Sequence, residues 1–432
     1  AHSRRADVEQ WVAKFARIYT PAVMALAIAI AALPPLLLGG AWSFWFYNAL
    51  VLLVIACPCA LVISTPVSIV AALAASARSG VLIKGGAYVE APGRTTAIAM
   101  DKTGTITMGE PEVAAVHPLV GRTYRELMAL AASLEARSSH PLARAILGEA
   151  EREGVPAVPA EDVRTVPGRG LEGRAGSRAI WLGSDRFAAE KGFGASIPGM
   201  LRDRIEGAGR TLVAVGDETG VIGILELRDR IRPDAKNVVA RLHAQGVKTI
   251  VMLTGDNELT ARAVAAEVGI DEVRAELLPE DKVTAIEELV ASHAVVAMIG
   301  DGVNDAPAMA RAHYGIAMGA VGSDAAIETA DIALMTDDIG KVPWLIGHSR
   351  RTMGIIHQNI GISLATKALF VGLTAFGMAS MWGAIAADVG VSLVVVANAL
   401  RLLNAKARDA APPPGGETVG DRMAQGAVAH GH

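Results

Sequence analysis

Four long apolar segments, two toward each end of the 432-residue chain, constrain its fold more than anything else in it. The first runs from about Pro21 to Leu38 and the second from Trp42 to about Ala77. The third covers about Asn359 to Met378, and Met381-Trp382 leads into a fourth that ends near Leu403. Each is long enough for a helix to cross a bilayer. The second exceeds the roughly 20 residues required, so part of it must bend or protrude. Pro34-Pro35 is expected to kink the far end of the first, and Trp42, Trp45 and Tyr47 suit a membrane interface. Hydrophobic content of 52% and mean hydropathy of +0.37 agree with spans joined to a water-soluble middle. Basic residues cluster at Arg4, Arg5, Lys14 and Arg17, at Arg78 and Lys84, at Arg350 and Arg351, and at Arg401, Lys406 and Arg408. All four clusters fall on one side of the spans, and the short turns on the other side carry no Lys or Arg. The positive-inside rule makes the basic side cytoplasmic, together with the middle of the chain. The bilayer is therefore a partner, and a net charge of −4 gives no sign of nucleic-acid binding.

Within that middle, three apolar runs each end in an acidic loop. Thr96–Met100 runs into Asp101, Thr249–Leu253 into Thr254-Gly255-Asp256, and Val295–Ile299 into Gly300-Asp301-Gly302. Such runs read as buried parallel strands, and open α/β sheets place their chemistry at the carboxyl ends of strands. Carboxylates gathered at one sheet edge are costly without a cation, which implies Mg²⁺. A carboxylate nucleophile beside Mg²⁺ suits phosphoryl transfer through an aspartyl-phosphate.

The stretch Asp101-Lys102-Thr103-Gly104-Thr105-Ile106-Thr107 resembles the signature of the P-type ATPases. Thr254-Gly255-Asp256 and Gly300-Asp301-Gly302-Val303-Asn304-Asp305 are similar to its companion motifs and occur in the family's order. The resemblance covers essentially everything before the tail. It implies membrane α-helical spans plus a cytoplasmic α/β phosphorylation domain, haloacid-dehalogenase-like and Rossmann-type, with an inserted α+β nucleotide-binding domain. The expected boundaries are 1–84 for two spans, 85–111 and 226–348 for the phosphorylation domain, 112–225 for the insertion, 349–409 for two more spans and 410–432 for a disordered tail. The resemblance makes Asp101 the residue that attacks the γ-phosphate of ATP, with Lys102 and Gly255 in the same motifs. Mg²⁺ is expected on the Asp101 carboxylate, the Thr103 carbonyl and Asp301. Thr254 and Asp256 belong to the phosphoryl-binding motif, Lys282 matches the lysine that neutralises developing charge, and Asn304 and Asp305 orient phosphate and metal. Soluble phosphatases of this fold class carry a second Asp two positions after the nucleophile. Here Thr103 stands there and cannot shuttle a proton, so the phosphoenzyme is expected to persist.

In the insertion, Leu127, Leu130, Ala131 and Leu134 follow helical spacing, and a second helix is expected after Ser139-His140 with Pro141 in its first turn. The part with Gly168, Gly170 and Gly183 reads as strands and turns. Ser138-Ser139-His140-Pro141-Leu142 resembles the His-Pro motif of heavy-metal P-type ATPases, and Val166-Pro167-Gly168-Arg169-Gly170 resembles their Gly-rich loop. The resemblance implies that Glu135, His140, Pro141, Gly168 and Gly170 hold adenosine, the glycines by allowing close backbone approach.

In the second apolar segment, Cys57-Pro58-Cys59 is the most informative triplet. The two cysteines are too close in sequence to build a disulfide framework. Pro58 lacks an N–H and is expected to leave the Val54 carbonyl unpaired, which is tolerable at membrane depth only in a buried or cavity-lining position. Two thiols at the break offer soft ligands for Zn²⁺, Cd²⁺, Pb²⁺ or Cu⁺. Lys367 and Asp388 are ionisable residues inside apolar spans, hence functional by default. Asp388-Val389-Gly390 resembles the motif of the zinc/cadmium/lead subgroup, and Lys367 matches its intramembrane lysine. Asp388 is then expected to ligate the ion with Cys57 and Cys59, and to pair with Lys367 once the ion leaves. A hard carboxylate beside two thiolates suits a divalent ion better than Cu⁺.

These expectations describe the carboxy-terminal part of a divalent-metal-exporting ATPase in a bacterial plasma membrane, using ATP and Mg²⁺. The chain opens at Ala1, and the resemblance implies further spans and an actuator domain with a Thr-Gly-Glu loop ahead of it. Met108-Gly109-Glu110 lies in the wrong place to substitute, so this segment alone is expected to phosphorylate poorly. The alternatives are a Cu⁺ pump, a membrane-anchored phosphatase, and a metal-binding membrane protein with an inactive catalytic domain. The closing Ala-His-Gly-His offers at most a loose metal site.

Overall fold

The computed structural model describes residues 6–119, 121–138, 140–166, 168–302, 304–319, 324–375 and 380–404. The tail, with its terminal histidines, lies outside them. The chain divides into two bodies, Arg94–Gly340 and the combination of Ala1–Gly93 with Lys341–His432.

Arg94–Gly340 holds two sheets. In the first, parallel strands run in the order Ile332–Leu334, Tyr314–Ala317, Val296–Gly300, Ala97–Asp101, Thr249–Leu253 and Glu272–Arg274. The central strands are continuous apolar runs because both faces are covered. Ala99, Val251 and Met298 on one face are as inaccessible as Ile98, Ile250 and Ala297 on the other. Helices Glu258–Val268 and Pro279–Ser292 connect strands of this sheet, and Ala235–Ala244 leads back into it from the second sheet. The Glu258–Val268 helix starts with the Asn257 side chain accepting from Thr260 N (2.8 Å) and ends at Gly269 in the left-handed region.

The second sheet is antiparallel, in the order Thr107–Pro118, Gly220–Ile231, Thr211–Asp217, Arg178–Gly183, Gly170–Ala175 and Glu161–Val166. It starts immediately after the Asp101 loop and returns through Ile231, which pairs with Thr107. Helices Tyr124–Glu135 and Pro141–Arg152 pack on one face through Leu127, Leu134 and Ile146. The first of them opens with a reciprocal cap between Thr123 and Glu126. Trp181, Phe187 and Ile205 fill the other face.

The other body is helical: Asp7–Leu38, Trp42–Ala56, Cys59–Arg78, Lys341–Ala375 and Met381–Leu400. The first helix continues through Pro34 and Pro35 to Leu38, where Gly39 takes φ +68°. Among the described residues, Gln10–Leu37, Trp42–Arg78 and Met381–Asn404 are long and apolar enough to cross a membrane. Lys341–Ala375 carries the third apolar run, whose last residues lie outside the described ones.

Candidate functional site

Strand register assembles the acidic edge. Asp101 pairs with Leu253 and Met100 with Ile299, so Thr254 and Asp301 leave the sheet beside Asp101. Lys282 reaches the same place from another element. Pro279 opens its helix, and the Asp281 carboxylate caps it by accepting from Leu278 N (2.9 Å). Lys282 is therefore fixed in the first turn, where its ammonium donates to Asp101 Oδ1 (2.6 Å) and Asp305 Oδ1 (2.8 Å). Lys102 pairs with Asp256. Burial, then the neighbouring Asp305 charge, pushes Asp101 up to about 7 against the downward pull of Lys282. Burial lowers the Lys282 ammonium, but Asp101 and Asp305 outweigh it and leave its pKa raised. The Thr254 hydroxyl accepts from Asp256 N (3.1 Å), and Asn304 donates to both oxygens of Asp301 (3.0 and 2.8 Å). Gly300 has to be glycine, since a Cβ there would lie 2.3 Å from Asp305 Oδ2.

The loop after Asp101 is held by residues that the sequence reading passed over. Arg232, buried in spite of its charge, donates from Nε to Thr105 O (2.9 Å) and from Nη2 to Gly104 O (3.0 Å). The same guanidinium binds Asp337 Oδ1 (2.7 Å) and its carbonyl (2.9 Å). Asp229 Oδ2 lies 2.5 Å from the Thr107 hydroxyl, which is also 3.0 Å from Lys102 O. The available signal was the charged string Arg228-Asp-Arg-Ile-Arg232-Pro, where the insertion rejoins the sheet.

The donors at this edge suit Mg²⁺. Asp101 and Asp301 are hard oxygen ligands at adjacent strand ends, and the buried Asp305 Oδ2 has no hydrogen-bond partner. Among the described residues no three His, Cys, Asp or Glu side chains converge as a ready metal cluster. Here the Lys282 ammonium bridges Asp101 and Asp305. A pH dependence follows. The folded pKa of Asp101 lies above its unfolded value, so its contribution to stability is full below the unfolded pKa and lost as pH rises through about 7. A cation that binds the carboxylate counters that loss. Mg²⁺ should therefore raise the melting temperature more at about pH 8 than at about pH 6. Equal shifts in a thermal melt at both values would contradict the assignment.

In the insertion, Glu135, His140, Gly168 and Gly170 line one cavity of about 310 Å³ with Thr165, Ser184 and apolar neighbours. His140 caps the helix that begins at Pro141, its Nδ1 accepting from Leu142 N (3.2 Å), which leaves Nε2 to carry the ring proton. Burial holds the Glu135 carboxyl above the usual range, with its Ser138 hydrogen bond pulling the other way, and its Oε2 has no partner. Both groups thus have hydrogen-bonding capacity to offer a ligand. The two glycines differ in what surrounds them. Gly168 takes φ +69° in a turn with open space beside it, but a Cβ on Gly170 would lie 2.0 Å from the Leu182 carbonyl. The neighbouring strand by itself excludes a side chain at 170, on the wall of the same cavity. Gly170→Ala should therefore destabilise the insertion by about 1–3 kcal/mol, read as a lower denaturant midpoint.

In the helical body, Pro58 ends one helix and starts another. The Trp42–Ala56 helix stops before Cys57 and a new one begins at Cys59. The Val54 carbonyl is not unpaired as expected, because the last turn tightens and it accepts from Cys57 N (3.4 Å). The carbonyls taken by a side chain are those of Ile55 and Cys57. Lys367 Nζ donates to Ile55 O (3.0 Å) and to Cys57 O, and lies 3.7 Å from Asp388 Oδ1. The lysine is thus a cap on the broken helix as well as a counter-charge. Cys57 and Cys59 are joined as a disulfide, a local bridge over one intervening residue. The expected set of Cys57, Cys59 and Asp388 is not assembled in this state, because a disulfide sulfur is not a thiolate ligand. Ligation requires the reduced pair. The space beside Lys367 and Asp388 is about 20 Å³, room for one water.

Residues 95–313 match the family model of haloacid dehalogenase-like hydrolases. The chain is 46% identical over 404 residues to the zinc/cadmium/lead-transporting P-type ATPase of Escherichia coli, covering 93% of this chain and 54% of that protein. It thus spans about half the length of that relative. Among solved structures, a zinc-transporting PIB-type ATPase in its E2.Pi state superposes with a TM-score of 0.76 at 46% identity, over 93% of this chain and 65% of that one. The catalytic domain of the CPx-ATPase CopB-B matches at 32% identity with a TM-score of 0.50, over 62% of this chain and 96% of that one.

Proposed function

The chain belongs to the heavy-metal P-type ATPases, and on that premise we propose that its protein exports Zn²⁺, Cd²⁺ or Pb²⁺ from the bacterial cytoplasm at the expense of ATP. The observation that carries this reading is the Lys367–Asp388 pair set against the helix break at Cys57-Pro58-Cys59. A membrane anchor needs neither charge nor break, and both are expensive in lipid.

In this reading the adenosine of ATP occupies the cavity of Glu135 and His140, and Asp101 attacks the γ-phosphorus. The bond to the bridging oxygen breaks and ADP leaves with the electron pair. Lys282 neutralises the charge that builds up, and the Thr254 hydroxyl, whose oxygen accepts from Asp256 N, donates a hydrogen bond to a phosphoryl oxygen. Mg²⁺, held by Asp101, the Thr103 carbonyl and Asp301, supplies charge neutralisation when bound. Asn304 orients Asp301, and Arg232 fixes the loop carbonyls. Thr103 cannot act as a base toward water, which keeps the acyl-phosphate long enough to drive a change in the spans. In the membrane, reduced Cys57 and Cys59 with Asp388 bind the cargo, and Lys367 takes over Asp388 after release.

The carboxylate at 388 favours a divalent ion over Cu⁺. The decisive measurement is labelling of the full-length protein from γ-labelled ATP. Zn²⁺-dependent, hydroxylamine-sensitive label that is absent from Asp101→Asn is expected. Label independent of every metal would instead support an anchored phosphotransferase.

A further inference from the structure

Outward of the Lys367–Asp388 pair the spans pack an apolar cluster, and one hydrogen bond joins two of them at its rim. Ordered along the helix axes, Tyr47 and Met381 stand nearest the outer ends of their spans. Phe370 is about 4.5 Å outward of Lys367 along its axis, and Ala384 about 6 Å outward of Asp388. Val51, Ile55 and Ala384 are buried and pack with Phe370 and Met381 into one apolar layer. Phe370 and Ala384 also line the water-sized space next to Lys367 and Asp388. That space, about 20 Å³ and lined also by Ser363 and Thr366, has room for one water and not for a hydrated divalent ion. The layer must part for release.

What holds it shut is visible at its rim. The Met381–Leu400 helix begins with backbone donors that lack helical partners. The Ser380 hydroxyl accepts from Gly383 N (3.1 Å), and the Tyr47 phenol oxygen accepts from Met381 N (3.0 Å). Tyr47 thereby ties the Trp42–Ala56 helix to the helix that carries Asp388. Ile55 joins layer to site, since its side chain lies in the apolar cluster while its carbonyl accepts from Lys367.

We infer that Val51, Ile55, Phe370, Met381 and Ala384 form the outer gate of the ion path, and that the Tyr47–Met381 hydrogen bond is its latch. The inference rests on the export reading above. An ion that draws Asp388 away from Lys367 disturbs the Ile55 carbonyl bond and so the layer itself. Water at the rim replaces the phenol as acceptor once the helices separate.

The test uses full-length protein in proteoliposomes, with radioactive Zn²⁺ flux measured in the presence and absence of ATP. Tyr47→Phe retains the ring and removes only the acceptor. It should keep Zn²⁺-dependent phosphorylation, which reports a folded protein, while ATP-independent Zn²⁺ leak rises several-fold. Phe370→Ala, which opens the layer itself, should leak more. A Tyr47→Phe protein as tight as the unmodified one overturns the latch, whatever Phe370→Ala does. Absence of ATP-driven flux in the unmodified protein would instead defeat the export reading, so the two failures are distinguishable.

Discussion

Replacing Lys282 with methionine should reduce phosphoenzyme formation by about 100- to 1000-fold, the loss typical of removing one preorganised charge from a reaction centre. The geometry explains why the effect is large. The ammonium donates to Asp101 and Asp305 at once, and all three groups are largely out of water. Methionine fills most of the volume but leaves two carboxylates facing each other. Breaking a buried charge pair by removing one partner typically costs about 3–5 kcal/mol, because the survivor is left uncompensated. Asp101, already raised to about 7 with Lys282 present, must go higher without it, so less of the nucleophile is ionised at neutral pH. Two measurements separate these consequences. Single-turnover labelling at saturating Mg²⁺ and ATP reads the chemical step, and melting in nucleotide-free buffer reads the pair. The stability deficit of Lys282→Met should shrink as pH falls below 6 and Asp101 takes its proton, whereas the labelling deficit should not. A variant that labels within about threefold of the unmodified protein would remove Lys282 from the reaction centre.

The sequence makes parts of this site plain and hides others, for physical reasons. An apolar run too short for a helix and tipped with Asp says that a strand ends in chemistry, because the parallel sheet must bury both faces and can expose only its edge. Three such runs specify the edge at Asp101, Thr254 and Asp301. Lys282 is another matter, since no local pattern aims a helix lysine at a residue 181 positions away. It was placed by resemblance. Arg232 shows the limit more sharply. Its work is to hold the backbone carbonyls of Gly104 and Thr105, and a carbonyl has no residue type to signal the need. Lys367 is visible as a charge in an apolar span, yet its bonds to Ile55 O and Cys57 O depend on how the break at Pro58 distributes spare carbonyls. At Val54 the structure departs from the sequence expectation, because a tightened final turn supplies the Cys57 N–H that an ideal helix would not. Gly170 also meets the strand at Leu182, a contact set by sheet register that the spacing of glycines does not show.

Asp388→Ala should weaken Zn²⁺ activation of phosphorylation at least about 100-fold, and the fate of Lys367 decides how that loss is interpreted. In the present arrangement the carboxylate stands 3.7 Å from the ammonium, both largely buried beside a space with room for one water. Alanine removes a ligand and strands a cation. A stranded lysine in a span costs about 2.5–3.5 kcal/mol by insertion measurements, partly relieved here by the two carbonyls it caps. The double variant Asp388→Ala with Lys367→Met removes both charges and should recover much of the stability of the single one. It should not recover Zn²⁺ activation, because methionine replaces no carboxylate. Lys367→Met alone leaves the ligand in place but uncaps Ile55 and Cys57, so it should still bind Zn²⁺ while the metal-free protein loses stability. A double-mutant cycle on melting temperature, run beside Zn²⁺-dependent labelling, distinguishes the roles. If Asp388→Ala retains full Zn²⁺ activation while the cycle shows strong coupling to Lys367, the pair is a structural tie between two spans and the cargo is bound elsewhere.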